Sequence, residues 1–416
     1  MPTPSQIDLA IIGSGPAGLA AAVQAREMGI KDLVVFERDE RPGGILRQCI
    51  HTGFGLEEFE EDLTGPEYAN RYTRKAQDLN VDIFLDTTVL EIDRERVLTA
   101  VSGRGLRRYR CRAIILAMGC RERPRGAIGI GGTRPAGVFT AGQAQRLINI
   151  EGYMPGNRVV VLGSGDIGMI MARRLTLEGA EVRAVAEILP YPGGLMRNVV
   201  QCLRDFDIPL LLSHTVDEIH GDRRVEGVTL VRVDPRGEPV KGSERSVGCD
   251  TLLLSVGLIP ENELSRMAGI PIDERTGGPV VNDEFQTGIP GIFSCGNVLH
   301  VNDLVDNVSA EGSAAALAAC RYLLGKLPRP EKRITLEGDE RIAQIVPQVL
   351  SGEKETPLFI RVRQPMGQVT LRVGGLFEKK YPYARPGEMI RVKVPKRAFH
   401  DLDPSVERLK IHCEEG

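Results

Sequence analysis

The stretch Gly13-Ser14-Gly15-Pro16-Ala17-Gly18 decides the fold, because it recurs as Gly163-Ser164-Gly165-Asp166-Ile167-Gly168, 150 residues on and in the same register. Each copy follows a short strand-like apolar run, residues 7–12 or 158–162, and opens a helix-like segment, residues 17–28 or 167–178. A second apolar run then leads to an acid: Glu37 stands 24 positions after Gly13, and Glu187 stands 24 after Gly163. Strand, Gly-x-Gly-x-x-Gly turn, helix, strand and terminal carboxylate is the order of a dinucleotide-binding unit. The first glycine makes the turn, the second lets backbone approach a pyrophosphate, and the third lets helix and strand pack closely. The pyrophosphate sits on unpaired N–H groups at the positive end of the helix. Two complete units predict an α/β chain with two Rossmann-like dinucleotide-binding domains, and electrons passing between two cofactors.

The acids at the strand ends say what each site takes. Glu37 can hold the hydroxyls of an adenosine ribose. In the second copy no Arg or Lys lies between Glu187 and Arg197 to accept a 2′-phosphate, and Arg183 lies inside the strand. A carboxylate there repels a phosphate, so NADH is expected over NADPH. Three further segments complete the pattern. Ala113-Ile114-Ile115-Leu116-Ala117-Met118-Gly119 is a buried strand ending in small residues, and Thr251-Leu252-Leu253-Leu254-Ser255-Val256-Gly257 is its counterpart. Residues 288–298 give a strand ending at Gly296-Asn297, ahead of a helix at about 310–324.

At these residues the chain resembles the two-dinucleotide flavoproteins of the thioredoxin-reductase and pyridine-nucleotide-disulfide-reductase superfamily, over about residues 6–326. The resemblance implies FAD in the first site and NAD(H) in the second. On matching positions it implies FAD contacts from Gly13, Gly15, Pro16, Ala17, Gly18, Glu37, Arg38, Gly44, Ile45, Gln48, Val89, Ala117, Gly119, Gly296, Asn297 and Val308. For NAD it implies Gly163, Gly165, Asp166, Ile167, Gly168, Glu187 and Gly257. Where the superfamily has Gly-Asp beside the ribityl chain, this sequence has Asn297. The amide still bonds a hydroxyl but gives up charge assistance, roughly 1 kcal/mol.

With 416 residues, 42% apolar and 26% charged, the chain has room for two or three domains with cores of their own. A net charge of −3 and the lack of a basic stripe interleaved with aromatics argue against nucleic acid. The longest apolar runs are far shorter than a membrane span, and the first strand starts too near Met1 for a signal peptide, so a cytoplasmic protein is expected. The eight cysteines are scattered without a Cys-x-x-Cys pair, so no metal site is encoded by local spacing. The expected layout is a discontinuous FAD domain (1–122 and 284–328), an inserted NAD domain (123–283) and a β-rich module (333–416) in which residues 358–363, 368–373, 389–394 and 408–413 alternate like strands, with Pro328-Arg329-Pro330 closing the flavoprotein core. Residues 66–79 read as an amphipathic helix. The runs 81–85, 88–92 and 96–101 read as a small sheet over the FAD domain. Hinges are expected near 119–157 and 257–281, about which the NAD domain would rotate.

The segment Gly43-Gly44-Ile45-Leu46-Arg47-Gln48-Cys49-Ile50-His51 is the candidate for further chemistry. Cys49 and His51, two apart, could form a thiolate–imidazolium pair, with Arg47 adding positive potential. The alternative is that the loop packs on the flavin and Cys49 fills space. No second cysteine lies within four residues, unlike the disulfide reductases. His400 is followed by Asp-Leu-Asp-Pro-Ser and not by the His-x-x-x-x-Glu of the glutathione-reductase type.

Residues 43–54, 134–147 and Met154-Pro155-Gly156 look more like the FAD/NAD subunits of opine, proline and sarcosine-type dehydrogenases. The variant Gln48-Cys49-Ile50-His51 looks most like the oxidoreductase associated with glycerol-3-phosphate dehydrogenase. That resemblance implies a subunit moving electrons between NAD and FAD, with a separate substrate-oxidising flavoprotein and a small iron–sulfur protein as partners. Self-association through the β-rich module is the other option. Two competing functions stay open: an NADH-dependent thiol or disulfide reductase working through Cys49, and a non-catalytic FAD-holding subunit.

Overall fold

The computed structural model describes residues 4–328, 332–400, 402–403 and 405–416, so the Pro328-Arg329-Pro330 boundary falls partly outside it. The chain divides into two compact units, one formed by Met1–Cys120 with Pro260–Gly416 and the other by Arg121–Ile259.

In the first unit, β1 (Ser5–Ile12) lies at the centre of a sheet between β2 (Leu33–Phe36) and β6 (Gly105–Leu116), parallel to both. The strand order is β3 (Asp82–Phe84), β2, β1, β6, β5 (Val97–Ser102), β4 (Thr88–Ile92), with β7 (Ile292–Ser294) also on β6. The runs expected to form a separate small sheet are therefore part of this one. β3 pairs in parallel with β2, while β5 folds back antiparallel onto the first half of β6 and β4 pairs antiparallel with β5. The reason is the 12-residue length of β6, which serves β5 with its first half and β7 with its last three residues.

Helix α1 (Pro16–Glu27) and helix α3 (Val305–Leu323) cover one face of the sheet, and α2 (Gly65–Asp78) packs beside α1. Small residues set how close α1 and α3 come. Ala17, Ala21, Ala22 and Ala25 share a buried cluster with Ala315, Ala316, Ala318 and Ala319. A Cβ at Gly312 would fall 2.2 Å from the Ala17 carbonyl oxygen, so only glycine fits there. α3 begins five residues before its expected start near 310, with Asp306 in the first turn, where a carboxylate meets the positive helix end.

The second unit holds a parallel sheet in the order Leu210–Leu212, Glu181–Glu187, Arg158–Leu162, Thr251–Leu254, Val138–Thr140. Helices Ala141–Asn149 and Asp166–Leu177 pack on it. An antiparallel group, His214–His220, Gly227–Arg232 and Arg245–Gly248, adds a further layer.

Residues 260–283, read from the sequence as part of the inserted domain, belong to the first unit. Asn262 Nδ2 donates to Val298 O (2.8 Å) and Gly277 O (2.9 Å), and Ala268 and Ile270 share a core cluster with Val298. The C-terminal residues form two sheets around one apolar core. The four expected strands are present as Thr356–Val362, Val369–Val373, Ile390–Val394 and Arg408–Glu415. Ile334–Gly338, Ile342–Val346, Val349–Leu350 and Phe377–Tyr381 join them.

This module is tied to the rest of its unit by Asp283, a buried carboxylate whose Oδ2 accepts from Ser351 N (3.0 Å), Ser351 Oγ (2.6 Å) and Thr356 Oγ1 (3.5 Å). Asp283→Ala strands those donors in the interior and is expected to cost about 2 kcal/mol, read as a lower urea midpoint at unchanged slope.

Candidate functional site: two glycine turns locked by serine and glutamate

Gly13 leaves β1 with φ +99°, and a Cβ there would lie 2.5 Å from Ala117 O at the end of β6. A Cβ on Gly18 would fall 1.8 Å from Gly13 O, so the helix sits directly on the turn. Gly15 caps α1 with no side-chain partner, Pro16 follows, and a Cβ on Gly15 would meet nothing within 4 Å. The result is an uncapped helix N-terminus with an open approach, which suits a pyrophosphate.

Glu37 sits beneath this turn at 6% exposure. Its Oε2 accepts from both the backbone N–H (2.8 Å) and the hydroxyl (2.6 Å) of Ser14, and Oε1 accepts from Asp39 N (2.8 Å). A carboxylate has about four acceptor positions, so one remains on Oε1 for a ribose hydroxyl. The sequence reading gave Glu37 both hydroxyls; the lock on Ser14 reduces that to one.

The second copy is built the same way. Gly163 has φ +96° and would clash with Ser255 O at 2.1 Å if it carried a Cβ. Ser164 N–H and Oγ donate to Glu187 Oε2 at 2.8 and 2.6 Å, and Leu189 N donates to Oε1 at 3.0 Å. Gly165 caps its helix without a side-chain partner, and Gly168 N donates to Ser255 Oγ (3.1 Å). Ser14, Ser164 and Ser255 were missed as site residues; the visible signal was the serine inside both fingerprints.

The repeat runs further than the fingerprint. Pro42-Gly43-Gly44-Ile45-Leu46-Arg47 returns as Pro192-Gly193-Gly194-Leu195-Met196-Arg197, again 150 residues on. Both loops lie against their own glycine turn. Gly43 N donates to Ser14 O (2.8 Å), and Gly194 N donates to Ser164 O (3.0 Å). Arg47 is held by Asp39 (3.1 Å) and Glu40 (3.6 Å); at the corresponding places Leu189 and Pro190 stand, and Arg197 is exposed. Asp166, at the first turn of its helix, is drawn to this loop, accepting from Leu195 N (2.8 Å) and Asn198 Nδ2 (2.6 Å).

Several of the residues expected at the first site converge. Gly44 lies against Gly15, Ala117 against Gly13 and Gly18, and Gly296 (φ +71°) against Ala17 and Val308. Gln48 is buried in the adjoining turn, Ile45 is exposed, and Gly119 O accepts Glu261 N (3.0 Å). Asn297 Nδ2 donates to Cys120 Sγ (3.6 Å) and its Oδ1 accepts Asn302 N (3.0 Å). At the start of α3, Asn307 Oδ1 is a buried acceptor with no partner among the described residues, which a ligand N–H such as the flavin imide would satisfy. These residues fit FAD. Arg38 is exposed at the rim, and Val89 packs in the cluster of Ile7, Ile12 and Phe36. In the second unit, Ile167 packs in the helix–sheet core, and Gly257 (φ +104°) accepts Arg123 N at 2.9 Å.

Cys49 is not a thiolate. It is 4% exposed, its Sγ donates to Ile45 O (3.3 Å), and burial pushes the thiol up to about 12. Burial strips the water from an ion at that place, which favours the protonated thiol. His51 packs on Phe54, ring centres 5.0 Å apart, with Nδ1 3.0 Å from Thr52 O.

Two open glycine turns, each at the end of a strand with parallel neighbours on both sides, define an α/β oxidoreductase of the two-dinucleotide class. The chain belongs to the pyridine nucleotide-disulphide oxidoreductase family, whose sequence profile matches residues 7–313, and it is an FAD-binding, NAD(P)H-using oxidoreductase. It is 28% identical to a subunit of opine oxidase from Agrobacterium tumefaciens over 75% of this chain, and spans 65% of that protein's length. It is 29% identical to the glutamate synthase [NADPH] small chain of Mycobacterium tuberculosis, over 78% of this chain and 69% of that one. In fold it matches the crystal structure of T. acidophilum thioredoxin reductase with a TM-score of 0.63, at 23% identity, over 76% of this chain and 98% of that one.

Because Cys49 is buried and burial pushes its thiol up, its labelling by iodoacetamide in the native protein is expected to stay negligible from pH 7 to 9 and to appear only on unfolding. Peptide mapping after alkylation reads this directly. Gly18→Ala drives a methyl into the Gly13 carbonyl and is expected to cost about 1–3 kcal/mol with loss of bound flavin, measured by melting temperature and flavin absorbance.

Proposed function

We propose that this protein moves a hydride between NADH and FAD as the electron-transfer subunit of a multi-subunit dehydrogenase whose substrate is oxidised on another chain. The observation that carries this is the pair of equivalent serine–glutamate locks, each beneath an open, uncapped helix N-terminus. FAD is assigned to the first unit, on Gly13, Gly15, Gly44, Gly296 and Asn307. NADH is assigned to the second, on Gly163, Gly165, Glu187 and Gly257. When bound, the pair supplies two-electron chemistry between the nicotinamide C4 and the flavin N5. The protein's own part is placement and electrostatics: backbone N–H groups receive the phosphates, the buried glutamates fix the turns, and no side chain need change its covalent state.

Coenzyme choice rests on the rim of the second turn. Glu187 is negative and buried, the next two residues are the exposed apolar Ile188 and Leu189, and Arg183 is paired with Glu181 (2.9 Å). A 2′-phosphate beside Glu187 meets a carboxylate, and the two residues that follow it carry no charge. The electron-transfer role draws on the relatives named as an oxidase subunit or a synthase small chain. It draws also on the burial of Cys49, which pushes its thiol up and works against its use in a disulfide exchange.

An anaerobic NADH titration of the purified chain, followed by flavin absorbance, tests this. Complete bleaching by one NADH per FAD is the expected result. Two NADH per FAD would reveal a second redox centre, and no bleaching would leave an FAD-holding subunit. Steady-state measurement with an artificial acceptor should give a kcat/KM for NADH about a hundredfold above that for NADPH, and comparable values would remove the coenzyme assignment.

A further inference from the structure

The flavin reading leaves unused a fully buried polar pair in the first unit. His300, three residues after Asn297, is 0% exposed, and Glu311, in the second turn of α3, is 1% exposed. His300 Nε2 lies 2.7 Å from Glu311 Oε1, and Glu311 Oε2 accepts Gly296 N–H at 2.8 Å. On its other edge the imidazole meets the C-terminal module. Nδ1 lies 3.5 Å from Nε2 of Gln344, on strand Ile342–Val346, and the ring packs 5.6 Å from Phe359. Gln344 Nε2 also faces the Met389 sulfur at 3.7 Å. An amide nitrogen only donates, so Nδ1 is the acceptor and the ring proton lies on Nε2, directed at Glu311. The chain of contacts thus runs from the module, through imidazole and carboxylate, to the backbone of Gly296.

A second set of contacts from the module reaches the same turn. Asp303 is gripped by the Arg361 guanidinium and by Met389 N–H (2.7 Å), and Arg361 also donates to Val301 O (3.2 Å). Asn302, inside this gripped stretch, donates its N–H to Asn297 Oδ1. Arg391 pairs with Glu57 (3.0 Å), whose N–H is bound by Asp306 at the start of α3. The two sets bracket the residues assigned to the flavin from both sides of the turn.

We propose that Gln344, His300 and Glu311 form a positioning relay through which the C-terminal module, outside the matched family region, holds the Gly296-Asn297 turn in the shape that FAD binding requires. This rests on the assignment of FAD to that turn. Glu311 is the working element. A buried carboxylate on the Gly296 N–H fixes the direction of that peptide, His300 fixes the carboxylate, and Gln344 fixes the ring. Removing the far end leaves the fold in place but frees the turn. The module is then part of the flavin site, although none of its residues need touch the cofactor.

The test uses the full chain stripped of flavin, with Gln344→Met and Glu311→Gln variants and the exposed Lys380→Ala as control. Flavin fluorescence on adding FAD to each apoprotein gives the dissociation constant, the midpoint potential of the reloaded protein gives the electrostatic readout, and apoprotein melting temperature reports folding. Gln344→Met is expected to weaken FAD binding about tenfold and to shift the potential while the apoprotein melts as wild type does. Glu311→Gln should do the same more strongly and raise the potential, since it removes a buried negative charge; if it does not fold, Gln344→Met decides. Wild-type affinity and potential in Gln344→Met overturn the relay, as does a loss of affinity matched by an equal fall in apoprotein stability. A wild-type apoprotein that takes up no FAD would instead overturn the flavin assignment itself.

Discussion

One interaction shapes both cofactor cradles: a serine whose backbone N–H and hydroxyl together grip one oxygen of a buried glutamate. Burying an isolated carboxylate is costly, and two short charge-assisted hydrogen bonds to one oxygen plus a third to the other are what make Glu37 and Glu187 tenable. The lock ties the end of the second strand to the glycine turn at the end of the first. With that distance fixed, the turn cannot relax toward the sheet, and the helix that follows presents its N–H groups outward. The glycines are then needed for steric reasons, since Ala117 O and Ser255 O stand where their side chains would be.

The repeating frame was legible because its elements are local. Strand, turn, helix and acid lie within residues 7–37 in the first copy and 158–187 in the second, and their spacing is visible without any knowledge of distant contacts. The strands of the C-terminal module were half legible, where alternation was clean, as in Ile390–Val394. What escaped the reading depended on contacts far apart in sequence. Asn262 reaches Val298 across 36 residues, and that is why the segment 260–283 joins the first unit. The extra length of β6 and its two different partners could not be seen from apolar runs alone. Cys49 shows the same limit in the site: proximity to a histidine in the chain suggested an ion pair, while burial, a property of the folded state, sets the thiol's behaviour.

The distribution of polarity in the first unit separates two tasks. Around the glycine turn the polar groups are satisfied by one another, which makes a rigid frame. At the start of α3 an acceptor, Asn307 Oδ1, is left over, and an interior tolerates such a group when a ligand completes it. Rigid frame and unmet acceptor belong to different elements, and the module's grip on the 301–303 stretch brings them under common control.

Each serine–glutamate lock, with the Pro-Gly-Gly loop that closes over it, draws every partner from a stretch of about 35 residues, the span from Gly13 to Arg47 in the first copy and from Gly163 to Arg197 in the second. Such a stretch is a self-contained cassette. It holds the lock and the loop together, while the carbonyl that backs the first glycine, Ala117 O or Ser255 O, comes from a more distant strand end. The two copies differ at the rim, where Leu189 and Pro190 stand at the places of the acids that pair with Arg47, while the serine, the glutamate and all three glycines are the same in both. The interior of each cradle is thus one design used twice, and only its rim can tell one ligand from the other.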